Sequence, residues 1–576
     1  TESDISVDSP TNNFATWNPL DEAINGLVYS EGNLKASPAS GNNHLRTNPT
    51  MFASSGKWYA EIVVVSGYIS DSVWIGAIKQ SAIHRTSNND ALWYTNDGAV
   101  AYDVGGEVKA DTVSVSTGGT TWTTNDVMSV ALDMDNNKLY LGKNGTWFNS
   151  ANFTNGTGYI YNAGVLADGS WGFSFNGYGS SGNETTWVAN FGQDSSFAGA
   201  KTAQGNQDGN DIGDFYYTPP TGFLALCTSN LPAVAVIPSK HFNALVYAGN
   251  ASNGHAITGV GFQPDFVWGK TRTGTYNHFL VDAVRGNTKY LRSDTTGAEN
   301  TYTDVLTSFD SDGFTLGAAG KMNESGHSHI SWNWKANGSG SSNTNGDVTS
   351  TVSANVDAGF SIVTYTGNGN NIDVGHGLSK APDIVIVKER SSTGGWYANV
   401  KNIPSQSAGT DMVAVLNENY AIDGYNVGQW YFGGQAPTSS VFRVQNKDDV
   451  GANGSTYVAY CFHSVDGYSS IGSYTGNGNA DGTFVYTGFR PAYVMVKRTN
   501  TAENWGVWDN KRDGYNLTKK FLIPSLSNAE QDGSQSLDLT SNGFKWRTGD
   551  AINNASSDSY IFLAFAETPF KYSNAR

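Results

Sequence analysis

Few residues in this 576-residue chain are spaced for chemistry. Its nine histidines are scattered, and His327 and His329 in "SGHSH" are the only close pair. A spacing of two on a strand puts both rings on one side, as a two-histidine metal site requires. Ser331 and Asn333 follow on that side, however, and no third ligand stands nearby. Acidic turns come next, "DMDNNK" (Asp133, Asp135) and "DGNDIGD" (Asp208, Asn210, Asp211, Asp214). A calcium loop wants Asp or Asn at its first, third and fifth positions, but Ile212 holds the fifth, and no Glu closes the loop at the twelfth. In the first turn Asp and Asn serve as turn formers. Calcium at the second is the one ion the sequence leaves as a candidate, and no other cofactor is expected. There is no Gly-x-Ser-x-Gly elbow, phosphate loop or dinucleotide fingerprint. A non-enzymatic protein is expected.

Recognition is better represented. Sixteen Trp and 29 Tyr exceed what cores need. Several occur in turn-like contexts: "ALWYTNDG" (Trp93, Tyr94), "GGWYAN" (Trp396, Tyr397), "GQWYFGG" (Trp430, Tyr431) and "AENWGVWDN" (Trp505, Trp508). Aromatic faces beside Asn and Asp suit sugar recognition, the rings stacking on C–H faces while amides bind hydroxyls, and they suit protein interfaces equally. Trp93, Tyr94, Trp396, Tyr397, Trp430 and Tyr431 are the candidate ligand-binding residues. The first two pairs are expected to be exposed.

The elements that must position them are strands. Charged residues are 15% and aromatic residues 12% of the chain, against about 25% charged in ordinary soluble domains. Short β-branched and aromatic runs alternate with Gly, Asn, Asp and Ser, and no long amphipathic pattern occurs, so an all-β chain is expected. A net charge of −17, from 34 basic and 51 acidic residues, argues against nucleic acid as a partner. No apolar run reaches 18 residues, so no membrane insertion by a helix is expected. Cys227 and Cys461 lie in apolar runs that read as core strands, which predicts two buried thiols. Thr1 is preceded by no Met and no apolar leader, as expected after removal of a leader or for part of something longer.

One spacing organises the C-terminal half. Tyr247, Pro264 and Lys270 are separated by 17 and then 6 positions. So are Tyr365, Pro382 and Lys388, and again Tyr474, Pro491 and Lys497. Eight positions after each Lys stands His278, Trp396 or Trp505. Twelve after it the first and third copies place Asp282 and Asp509, each followed by Arg285 and Arg512, whereas the second has Val400. Copies of about 100 residues are each long enough for a core, which predicts beads in a row rather than solenoid turns. The expected organisation is an arm (1–54), a β-sandwich (55–199), a connector (200–240), a first β-repeat (241–337), a Gly/Ser/Asn linker (338–357), a second repeat (358–464) and a third (467–576).

Residues 56–197 resemble a SPRY domain. The likeness rests on "GKWYAEI" (Gly56–Ile62), "VWIGAI" (Val73–Ile78), "NDVMSVALDMDNNKLYLGKNGTWF" (Asn125–Phe148) and "NFG" (Asn190–Gly192), in the family's order. It implies a bent β-sandwich that meets partners through loops at one rim. The wider chain resembles virion tail or fibre proteins of bacteriophages, especially marine ones. That likeness rests on "NNFATWNPLD" (Asn12–Asp21), "GDFYYTPPTGFLALCTSNLP" (Gly213–Pro232) and the "FQPDFVWGK"- and "YTGNG"-like repeat pieces. It implies an extracellular virion adhesin that touches other virion proteins and a host-surface glycan or protein, as a homo-oligomer and often a trimer. The rival expectations are a capsid decoration or tail component that binds only virion proteins, a polysaccharide-degrading tail spike, and a secreted cellular adhesin. A spike would need carboxylates ~5–9 Å apart, which sequence does not give.

Overall fold

A computed structural model of the chain describes residues 9, 12–21, 26–39, 44–67, 69, 72–83, 92, 98–162, 164–167, 169–179, 182–318, 320–401, 412–422 and 431–573. Among the described residues nearly all regular structure is strand in antiparallel sheets, with one α-helical turn at Gly320–Asn323 and several short 3-10 turns. The chain divides into two compact units, Thr1–Ala233 and Val234–Arg576.

The first unit is a β-sandwich. One sheet runs in the order Leu27–Ser30, Lys35–Pro38, Thr186–Asn190, Lys57–Ser66, Val127–Asp133, Lys138–Lys143 and Thr146–Trp147. The other runs His44–Thr47, Trp171–Tyr178, Trp74–Lys79, Ala99–Asp103, Val108–Ala110 and Val113–Ser116. Their facing side chains meet as Phe175 against Trp187, centroids 4.9 Å apart, and Phe173 against Phe191 at 6.1 Å. Strand Lys57–Ser66 alternates, so that Trp58, Ala60 and Ile62 fall on one side of the sheet and Tyr59 and Glu61 on the other. Tyr59 packs in a second cluster with Phe14, Phe215, Phe223 and Cys227. The expected arm and connector are therefore part of the sandwich. Three strands of the arm join the two sheets, and Leu224–Ala225 of the connector pairs in parallel with Trp58 and Tyr59.

In the second unit each repeat builds the same four-stranded order. It is Phe242–Ala248, Ser328–Trp334, Phe266–Thr271, Phe279–Asp282 in the first. In the second it is Phe360–Thr366, Thr456–Phe462, Ile384–Glu389, Trp396–Val400, and in the third Ser469–Thr475, Ser559–Pro569, Phe489–Arg498, Gly506–Asp509. A second sheet, of three, two and four strands in turn, covers one face of each and encloses a core private to that repeat. The lysine-bearing strand alternates between two destinations. Val267, Val385 and Val494 face the private cores. Phe266 and Trp268, Ile384 and Ile386, and Tyr493 and Met495 all enter one further cluster shared by the three repeats. The last strands contribute Trp332 and Trp334, Tyr460 and Phe462, and Leu563 and Phe565 to the same cluster. The repeats are thus fused about a common core, which corrects the expectation of beads in a row. Part of the expected linker is also strand: Ser341–Asn343 and Ser350–Asn355 extend the second repeat's sheet.

The repeated "Tyr-x-Gly-Asn" has a common geometry. Tyr247, Tyr365 and Tyr474 stack on His329, Tyr457 and Tyr560, with centroids 5.2, 5.1 and 5.0 Å apart. Their hydroxyls donate to the carbonyls of Met322, Val450 and Asn553 at 3.0, 2.7 and 2.6 Å. Asn250, Asn368 and Asn477 each accept the backbone N–H two residues on, at 2.8, 2.9 and 3.0 Å, closing an Asx turn. The glycine between them lies so close to a neighbouring carbonyl that a Cβ would overlap it: Glu324 at Gly249, Ala452 at Gly367 and Ala555 at Gly476. Gly476→Ala is expected to cost on the order of 1–3 kcal/mol, read as a lower unfolding midpoint in urea. An unchanged midpoint would contradict this account of the motif.

Candidate functional site

Trp93, Tyr94 and Trp430 lie outside the described residues. Trp396 and Tyr397 are described, and the expectation that they are exposed is corrected. Strand Trp396–Val400 lies between Ile384–Glu389 and Met412–Val415, and both of its faces are covered. Trp396 is fully buried in the shared core, and its indole N–H donates to the Arg292 carbonyl at 2.8 Å. Tyr397 turns into the second repeat's own core, stacked on half-buried Tyr431 at 3.9 Å, and the Tyr431 hydroxyl donates to that of Tyr397 at 3.0 Å. Gly394 and Gly395 made this segment look like a turn, but they only lead into the strand.

The ionisable candidates are likewise committed to the fold. His329 is buried against Tyr247, its Nδ1 3.3 Å from the Thr271 hydroxyl, and burial lowers it to about 4. His327 instead meets the Thr273 hydroxyl at 3.0 Å, so the pair shares no ligand position. The Asp208 carboxylate is saturated by four donors, the backbone N–H groups of Asn210, Ile212 and Ala225 and the Asn230 amide, at 2.8–3.1 Å. This leaves it no lone pair for calcium. Asp133 accepts from Asn136 and pairs with Lys57 at 2.9 Å, while Asp135 accepts the Gly56 N–H at 2.7 Å. Among the described residues no three His, Cys, Asp or Glu converge on a metal position. Both cysteines are free and buried, and burial pushes Cys461 up to about 12.

Sequence reasoning missed Glu61, whose strand signalled only a sandwich core. Its buried carboxylate accepts from the Tyr59 hydroxyl, the Asn190 amide and the backbone N–H groups of Tyr216 and Tyr217, at 2.7–3.1 Å. It fastens the connector to the sheet, and burial pushes it up to about 7 against the pull of those donors.

The three repeated lysines are the least ordinary groups in the chain. Lys270, Lys388 and Lys497 are all buried, at 1%, 0% and 0% exposure, and donate only to carbonyls. Lys388 reaches Thr296 of the first repeat and Lys497 reaches Asn419 of the second, both at 3.4 Å. The residues eight positions on form the same kind of cross-repeat bond. Trp396 binds Arg292, Trp505 donates to Val415 at 3.1 Å, and His278 Nε2 lies 3.1 Å from the Ile523 carbonyl. Each repeat therefore bonds to the one before it, and the first to the third, which closes a ring. Charges reinforce two of the three junctions. Arg390 clamps Glu299 at 2.9 and 3.1 Å, and Arg272 clamps Glu530 at 2.8 Å twice. Asp282, paired with Arg285, accepts the Tyr460 hydroxyl at 2.8 Å, and Asp509, paired with Arg512, accepts the Trp332 indole at 3.1 Å. At the junction of the third repeat with the second, Val400 replaces the Asp and Leu563 replaces the aromatic donor.

Such lysines are easier to deprotonate than an ordinary lysine, as covalent chemistry requires, but they face no solvent. Burial lowers Lys497 to about 7 and Lys270 and Lys388 to about 8. A base lowered in the folded state contributes stability that is present above its unfolded value and lost as pH falls through its folded value. The second unit is therefore expected to gain stability from pH 7 to about 9.5, before the tyrosines of the unfolded chain ionise. Each lysine adds at most about 1.4 kcal/mol per pH unit within that window. Lys497→Met should flatten the rise in urea midpoint between pH 7 and 9.5. An identical slope in wild type and variant would contradict the assignment.

Solved structures similar to part of the chain include the SPRY domain of human HERC1, at 12% identity and a TM-score of 0.22, covering 32% of this chain and 95% of that one. Stonustoxin is 20% identical with a TM-score of 0.23, over 31% of this chain and 27% of that one. The PSpry domain of TRIM65 is 10% identical with a TM-score of 0.23, over 31% and 89%. No curated protein matches the chain. A family described as "Domain of unknown function (DUF7483)" matches residues 237–569, a span that reaches across all three repeats and nearly all of their shared core. The chain belongs to the DUF7483 family.

Proposed function

We propose that the chain is a non-enzymatic structural protein of a bacteriophage particle, of the tail-fibre or adhesin kind, which holds binding surfaces against a host-surface glycan or protein. The observation that carries this reading is the use to which the chemically capable groups are put. Buried lysines, paired carboxylates and Asp–Arg pairs bond carbonyls, backbone N–H groups and one another, so they build a scaffold instead of a reaction site. The sequence likeness to phage tail and fibre proteins supplies the setting, on the outside of a virion. The low share of charged residues and the turn-rich all-β construction suit a rigid part that meets partners through loops. A homo-oligomer would multiply weak contacts by avidity.

The burial of Trp396 and Tyr397 favours a second reading, a capsid decoration or tail component that binds only other virion proteins. The two are separated by one pair of measurements on a phage that encodes the chain. The adhesin reading expects the protein in density-purified particles by mass spectrometry, and purified chain that competes with particle adsorption to host cells. Presence without competition would transfer the proposal to the decoration reading. Absence from purified particles would overturn both.

A further inference from the structure

The connection Lys511–Lys520 in the third repeat, "KRDGYNLTKK", is longer than the fold requires. Leu291 and Leu522 mark matching places, since each exchanges backbone bonds with the strand before it, Leu291 with Leu280 and Leu522 with Val507. Six positions separate Arg285 from Leu291, and ten separate Arg512 from Leu522. In the first repeat the turn Gly286–Lys289 makes this connection with half-buried residues. In the third, the four additional residues bring out Tyr515, 81% exposed, and Leu517, 37% exposed. A ring left in water at that level contributes nothing to a core.

The loop is nonetheless held in place. The Asn516 amide donates to the Leu539 carbonyl at 3.0 Å and accepts the Leu539 N–H at 2.9 Å. The Asp513 carboxylate accepts the N–H groups of Lys519 and Lys520, both at 2.7 Å. Its charge is also taken by Lys520 at 3.4 Å, as Arg512 is taken by Asp509. Lys511 and Lys519 remain exposed, with no ion pair among the described residues. In a chain of net charge −17 this loop carries two unpaired cations, four positions before and four after one presented ring in sequence.

We propose that the Lys511–Lys520 loop binds an anionic polysaccharide, and the proposal rests on the surface-binding reading above only for the source of that polysaccharide. Tyr515 stacks on the C–H face of a sugar ring, and Lys511 and Lys519 take the carboxylate or sulfate groups beside it. Because the loop is pinned before binding, little ordering cost opposes a contact of this size.

The test is affinity electrophoresis of the full chain in gels containing alginate or, as the neutral comparison, dextran. Alginate should retard the wild type and dextran should not. Tyr515→Ala should weaken alginate binding about tenfold, the loss of roughly 1.4 kcal/mol. Lys511→Ala/Lys519→Ala should weaken it and reduce its dependence on salt. Tyr302→Ala, at another exposed ring (49%) in the first repeat, should leave it unchanged. The melting midpoint of the Tyr515→Ala and Lys511→Ala/Lys519→Ala variants should match wild type, because those side chains are exposed. Equal retardation by alginate and dextran, variants indistinguishable from wild type, or an equal loss in Tyr302→Ala would each overturn the site. A chain that competes for adsorption yet ignores alginate would sink this site alone. A chain absent from particles that binds alginate through Tyr515 would sink only the virion reading.

Discussion

The second unit depends on a strand that is apolar on both faces. In each repeat the lysine-bearing strand sends alternate residues to a private core and to a core held in common. A repeat standing alone would leave the second set in water. For the first repeat that set is Phe266 and Trp268, and with Trp332 and Trp334 of its last strand it makes an apolar surface far beyond a soluble monomer's ordinary exposure. Three repeats closing on one another bury all of it without a second chain. The family match from 237 to 569 covers this closed set and not a single copy, which fits the closed set as the folding unit.

The polar groups follow from that closure. Once the shared face is dry, a polar group on it needs a partner inside the protein. The Trp268 indole finds His278 within its own repeat, the Trp334 indole N–H finds none among the described residues, and others reach across a junction. The indoles of Trp396 and Trp505 and the ring of His278 do so by reaching carbonyls of the preceding repeat. Asp282 and Asp509 each need an Arg three residues on and a donor from another repeat. The remaining junction shows the same rule in reverse. With Val400 in place of the Asp, the opposing residue is Leu563, so donor and acceptor are absent together and neither is stranded.

Much of this was legible in the sequence, though not its arrangement. The steps from Tyr to Pro to Lys marked the repeats, and alternation in "KWYAEIVVV" marked a strand, because both are local properties of the backbone. Burial on the second face is not local. Trp396 behind two glycines has the same neighbours in sequence whether its ring meets a sugar or Arg292, and only the packing of another repeat decides between them. The same holds for "TNNFATWN" and the proline-flanked connector, which read as an arm and a connector outside the sandwich. Phe14, Phe215 and Phe223 cover the outer side of the sandwich sheet because Glu61 and Tyr59 sit there to receive them. Tyr515 was invisible for a different reason. Its exposure comes from a loop lengthened by four residues, and the extra length shows only when Leu522 is aligned with Leu291 by their hydrogen bonds.

The central claim is that residues 234–576 fold as one closed set of three repeats. The most direct measurement is amide hydrogen exchange by mass spectrometry across a urea series, following strands Phe266–Thr271, Ile384–Glu389 and Phe489–Arg498. A shared core predicts that all three exchange through a single opening, with one free energy and one dependence on urea. A repeat whose strand exchanges at lower urea while the other two stay protected would contradict it, and would return the repeats to independent domains.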